Sequence, residues 1–220
     1  MKKAVLTALL LSLVAAVPAV ADSTLYNNNG PYSDGANSSF ESAWTINYGF
    51  VVSDSFAVAS NSTIDAVDFD VWLFPGDTLT SVDWSIGTSP YGGTSSDASI
   101  ATLVAAPNSS LDGYTVDVAT ISIPDVSVSS GTTYWFTLQN AAVPNGDPAF
   151  WDIGNGPSVA YESYYGPVNG NLWAGSNSTT FQVLGNSSTS PVPEPSSLLL
   201  LGSGLAGLAG LLRRKFAKAL

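Results

Sequence analysis

Ile64-Asp-Ala-Val-Asp-Phe-Asp-Val-Trp-Leu-Phe74 decides the fold. Val67, Phe69, Val71 and Leu73 fall on one side of this stretch and Asp68, Asp70, Trp72 and Phe74 on the other. That period of two is the mark of a strand with one face in a core. The stretch 81–87 repeats it: Val82, Trp84 and Ile86 alternate with Asp83 and Ser85, which puts Trp84 in the core. In 132–138 the even positions Thr132, Tyr134, Phe136 and Leu138 look inward, leaving Trp135 outward or on a second buried layer. Further short segments rich in Val, Ile, Thr and aromatics predict strands at 44–47, 51–57, 100–105, 114–123 and 179–184. Phe74-Pro-Gly-Asp77, Tyr91-Gly-Gly93, Leu111-Asp-Gly113 and Val143-Pro-Asn-Gly-Asp-Pro148 supply turns between them. No helical repeat occurs outside the two ends. The expectation is an all-β domain over residues 22–184, a two-sheet antiparallel sandwich of jelly-roll type.

The charges are segregated. All six basic side chains, Lys2, Lys3, Arg213, Arg214, Lys215 and Lys218, lie in the terminal segments, while all 17 acidic ones lie between Asp22 and Glu194. A polyanion of this kind repels phosphate backbones, so nucleic acid is not an expected partner. The chain has no Cys and no His. With no Lys between the ends either, the central domain can hold no disulfide, thiolate or His metal site, Ser-His-Asp triad or Schiff-base lysine. Hydrophobic residues at 45% and six Trp, nine Tyr and nine Phe still provide for a packed core.

Residues 1–21 read as a secretory signal helix. Lys2 and Lys3 precede an apolar run from Ala4 to Val17, then Pro18, and Ala19 and Ala21 are the small residues a signal peptidase needs before Asp22. At the other end, 185–195 is a Ser/Pro-rich linker closing on Pro193-Glu-Pro195. Residues 196–212 carry no charge and would make a transmembrane helix about 25 Å long, near the lower limit for a bilayer. Arg213, Arg214 and Lys215 follow at once and hold a cytoplasmic tail, 213–220, inside. Pro193, Glu194 and Pro195, the apolar span and Arg213, Arg214 and Lys215, in that order, resemble the PEP-CTERM sorting signal. The resemblance covers about the last 30 residues. It implies an inner-membrane-anchored precursor with its domain in the periplasm, processing by an exosortase, and delivery to the cell surface or extracellular matrix.

Part of the domain also resembles, more loosely, the β-sandwich passengers of such proteins. Ser53-Asp-Ser-Phe56, Val71-Trp-Leu-Phe-Pro-Gly-Asp-Thr78, Ser81-Val-Asp-Trp-Ser-Ile-Gly87 and Trp151-Asp-Ile-Gly-Asn-Gly-Pro-Ser158 carry that likeness, which implies a fold and no activity.

For ligand binding, the candidates are Asp68, Asp70 and Trp72 on one strand face and Trp151 and Asp152 in an aromatic loop that continues through Tyr161-Glu-Ser-Tyr-Tyr165 to Trp173. Aromatic faces beside carboxylates are what a sugar groove needs, so a secreted carbohydrate-binding module contacting extracellular polysaccharide is one alternative. Ca²⁺ is the cation that hard oxygen ligands would suit. No Asp-x-Asp-x-Asp-Gly loop is present, however, so no cofactor is expected and solvated acids are the plainer reading. A glycoside hydrolase needs two positioned carboxyl groups, which the sequence cannot pair. The leading expectation is a non-enzymatic surface or matrix protein.

Overall fold

The computed structural model describes residues 23–30, 43–111, 113–164, 172–174, 178–187 and 203–204. The chain divides into two compact units, Met1–Ser188 and Thr189–Leu220. The signal helix at 1–21, the Pro-Glu-Pro motif and the basic tail lie outside the described residues, as does the span 196–212 except for Ser203 and Gly204. Among the described residues, no helix is long and apolar enough to cross a membrane.

The described residues of the first unit are all-β. Its strands are β1 (Ser23–Asn27), β2 (Ala43–Thr45), β3 (Phe50–Ala57), β4 (Ser62–Leu73), β5 (Ser81–Gly87), β6 (Ser96–Leu111), β7 (Tyr114–Val128), β8 (Thr133–Ala142), β9 (Phe150–Gly154), β10 (Ala160–Tyr164), β11 (Leu172–Ala174), β12 (Ser178–Thr179) and β13 (Phe181–Ser187). They pair antiparallel in the order β1-β13-β4-β7-β6-β5-β8-β3-β10-β11, with β9 joined to β4, β2 and β12. The sheet curls at β6. Residues Ser96 to Ser99 pair with β5, and Ile100 to Leu111 pair with β7. One strand thus serves both arms.

Side chains of the two arms meet in the core. Phe136 of β8 lies 5.8 Å from Phe181 of β13 and 5.5 Å from Trp151 of β9, ring centre to ring centre, and Phe56 of β3 lies 6.3 Å from Phe181. Val67, Phe69, Val71 and Leu73 are fully buried there, and Val82, Trp84 and Leu138 join them. Trp135 is on the opposite face of β8, half-buried, 5.3 Å from Tyr161.

β6 and β7 run further than the sequence predicts, for one physical reason. Pro ends a ladder only where its missing N–H is needed, and a bulge removes that need. β6, expected to stop at residue 105, passes Pro107 at a register shift between Ala105 and Ser110. β7, expected to stop at 123, passes Pro124 where the shift opposite Ile64 and Ala66 skips 123–125. β13 runs to Ser187, three residues into the stretch read as linker. Gly185 suits that strand: it has φ of 152°, and a Cβ there would stand 2.0 Å from the Thr63 carbonyl oxygen. The aromatic stretch read as a loop also contains strands, β9 and β10. Their sequences Phe-Trp-Asp-Ile-Gly and Ala-Tyr-Glu-Ser-Tyr do not alternate apolar and polar residues, because buried side chains lie on both faces.

Candidate functional site

β4 and β9 bring four of the five candidate ligand residues together. Val71 pairs with Trp151 and Trp72 with Phe150. Thr180, between β12 and β13, fills the fork beside them. The Asp70 amide donates to its carbonyl at 3.5 Å, and the Thr180 amide donates to the Asp152 carbonyl at 3.0 Å. On the side-chain level, Trp72 Nε1 donates to Asp152 Oδ1 at 2.7 Å. Asp68 lies one pleat further along the same face of β4 and is half-buried.

This grouping is interior. Asp70, Trp72 and Asp152 are 2%, 5% and 9% exposed, and Trp151 is 0% exposed. Trp151 belongs to the core, edge-on to Phe69, Phe136 and Phe181, with its Nε1 donating to the Thr180 carbonyl at 2.9 Å. Burial pushes the Asp152 carboxyl up to about 6, against the opposing pull of the Trp72 indole. Burial likewise raises Asp68, while Thr120 lowers it. Among the described residues, no three acidic side chains gather as a metal site.

The accessible chemistry lies beside Trp72. Its ring is 5.8 Å from Tyr114, which stacks on Phe74 at 5.0 Å and meets Phe150 edge-on at 5.6 Å. Phe74, Tyr114 and Phe150 are all half-buried, so part of each ring reaches solvent. The two turns next to them are polar. Asn145 Nδ2 donates to Asp77 Oδ1 at 2.6 Å and to Asp147 Oδ2 at 2.9 Å. Tyr48, 57% exposed, donates its hydroxyl to the Gly146 carbonyl. Rings, carboxylates and an amide thus share one end of the sheet. A sugar presents C–H faces and hydroxyls that match such a set.

Sequence reasoning missed a second buried acid. Asp54 is 0% exposed and accepts from the Thr179 amide at 2.7 Å, Thr179 Oγ1 at 2.8 Å, Asn28 Nδ2 at 3.1 Å and the Ser55 amide at 2.6 Å. Burial raises its carboxyl, and those donors lower it. A signal was present: Asp54 alternates in phase with Val52 and Phe56, so it occupies a core-facing position. Glu162 of β10, buried opposite Val52, is another, also raised by burial.

The sorting motif residues Pro193, Glu194, Pro195, Arg213, Arg214 and Lys215 and the cleavage residues Ala19 and Ala21 lie outside the described residues, and so do the side chains of Tyr165 and Trp173. Residues 191–215 match the PEP-CTERM protein-sorting motif. The chain therefore carries the signal of an exported protein whose membrane-anchored precursor is sorted by an exosortase to the cell surface or released. No curated protein matches the chain.

Proposed function

Starting from that sorting signal, we propose that the exported domain is a non-enzymatic component of the cell surface or extracellular matrix. In this reading residues 1–21 are removed by signal peptidase, and 196–212 hold the precursor in the inner membrane with the domain in the periplasm. The curled sheet is then a two-sheet sandwich of jelly-roll type. The observation that carries the reading is the motif at 191–215, joined to a passenger that has no His, Cys, Lys or Arg between Asp22 and Glu194. Few nucleophile and base combinations remain to such a domain. Mass spectrometry of the protein released from cells tests it. The expected product begins at Asp22 and lacks 213–220, and recovery of an intact Arg213 to Leu220 tail overturns sorting-linked cleavage.

A second reading is favoured by the rings of Trp72, Phe74, Tyr114 and Phe150 beside Asp77, Asn145 and Asp147. It makes this end of the sheet a contact surface for an uncharged extracellular polysaccharide, since a domain without cations repels anionic ones. A glycan array, run with and without Ca²⁺, decides it. Binding that Tyr114→Ala weakens at least tenfold supports the reading, and no binding under either condition removes it.

A further inference from the structure

The strand that opens the folded domain and the strand that closes it are neighbours. β1 lies antiparallel on β13, with Ser23 opposite Gly185 and Thr24 opposite Leu184, and Ser23 Oγ donates to the Gly185 carbonyl at 3.0 Å. Antiparallel pairing sets the start of β1 beside the end of β13. The chain from the signal segment therefore enters, and the chain to the sorting segment leaves, at the same end of one sheet edge.

β1 is held by more than its ladder. The Tyr26 ring lies 5.6 Å from Phe181 and 5.9 Å from Phe56. Just past the strand, buried Asn28 points its Nδ2 at Asp54 Oδ2, Ser158 Oγ, Ser178 Oγ and the Thr179 carbonyl, all within 3.1 Å. Once docked, the strand offers one row of main-chain groups only, on the side away from β13.

A peptidase grips its substrate as an extended segment, through main-chain pairing on both sides of the bond. At the Ala21–Asp22 bond, hydrolysis gives the water's hydroxyl to the Ala21 carbonyl carbon and its proton to the Asp22 nitrogen as the C–N bond breaks. Ser23 and Thr24, the second and third residues after that bond, are the residues already paired with Gly185 and Leu184. A cleft that encloses both edges of Ser23 and Thr24 cannot form while β13 holds one of those edges. We propose that signal cleavage and β1 docking compete for Ser23 and Thr24, so that the signal is cut from an undocked β1. Docking afterwards completes the edge from which the sorting segment leaves. The proposal rests on reading residues 1–21 as a cleaved signal.

The chain has no cysteine, so a cross-link can be placed cleanly. In Thr24→Cys/Leu184→Cys, a disulfide across the register pair reports docking. It is followed by pulse-chase in cells exporting the full chain, with each single variant and added reductant as controls. The expected result is a cross-link found only in cut protein, or a linked, uncut form that is processed at least tenfold more slowly than wild type until reduced. A linked, uncut form chased at the wild-type rate overturns the competition, and so does a cut protein that never links. Asn28→Ala gives a second arm, in which weaker docking should leave cutting at least as fast while exposing Tyr26 to chymotrypsin. Slower cutting in Asn28→Ala counts against the proposal. Terminal sequencing of wild type separates the two readings: a start elsewhere than Asp22 defeats the signal assignment, whereas the cross-link outcomes bear on the competition.

Discussion

Asp54 on β3 and Asp152 on β9 are both buried, and among the described residues neither has a lysine or arginine to pair with, since none lies between Asp22 and Glu194. Their surroundings differ. Asp54 sits among neutral donors from Asn28 just past β1, from β3 and from β12, with both carboxyl oxygens engaged. Asp152 receives the Trp72 indole N–H at 2.7 Å, with the Thr180 hydroxyl and the Ile153 amide in support. A buried charge without a counter-ion needs many oriented neutral dipoles to remain charged, and a sparser shell shifts the balance toward the proton. Asp54 therefore works as a structural knot that ties the first and last parts of the domain together. Burial raises both carboxyls, and that of Asp152 reaches about 6.

The largest expected effect breaks the knot. Asp54→Ala leaves the Thr179, Asn28 and Ser55 donors without their acceptor, which should cost about 3–4 kcal/mol in urea unfolding of the exported domain. A loss under about 1 kcal/mol would show that the donors re-pair and that Asp54 is no centre of stability.

Trp72→Phe tests the sparser site, because it keeps an aromatic ring and removes the one indole donor. It should cost about 2 kcal/mol at pH 7 and less at pH 4.5, where Asp152 carries its own proton. Equal losses at the two pH values would mean that packing of the indole outweighs its hydrogen bond.

The smallest effect is the pH dependence. Asp152 has a folded value of about 6, above its ordinary 3.8, so its contribution is fully present below the ordinary value and is lost as pH rises through 6. Asp54, Asp68, Asp117 and Glu162 are raised by burial too, so their contributions have the same sign. The urea midpoint should be higher at pH 4.5 than at pH 7.5, and Asp152→Asn should reduce the difference by about 1–2 kcal/mol. A midpoint that rises with pH would mean that burial does not hold these carboxyls above their ordinary value.

How far the sequence could be read depended on how local each signal was. β4 and β5 were legible because one face of each is an uninterrupted apolar series, Val67 to Leu73 and Val82 to Ile86. β9 and β10 were not, because strands buried on both faces lose the alternation that identifies them. The candidate site was half legible. Trp72 and Asp152 do meet, yet nothing in the chain between them shows that β9 packs along β4 or that Thr180 covers their fork. The neighbouring ring cluster was hidden for the same reason, since Tyr114 joins it from β7.

The sequence by itself determined the export route and the charge. The sorting motif is a contiguous run of 25 residues at 191–215, and segregation of acids from bases needs no folding to be seen. It also determined which arms of the sheet are strongly apolar, since alternation is a property of neighbours along the chain. Only the tertiary structure decided where the uncompensated acids go and which ends meet. Ser23 and Gly185 are 162 residues apart along the chain, and Thr179 lies 125 residues from Asp54. No local pattern encodes those encounters. The first is set by β1 pairing directly with β13, and the second by a sheet that curls at β6 and brings β12 against β3.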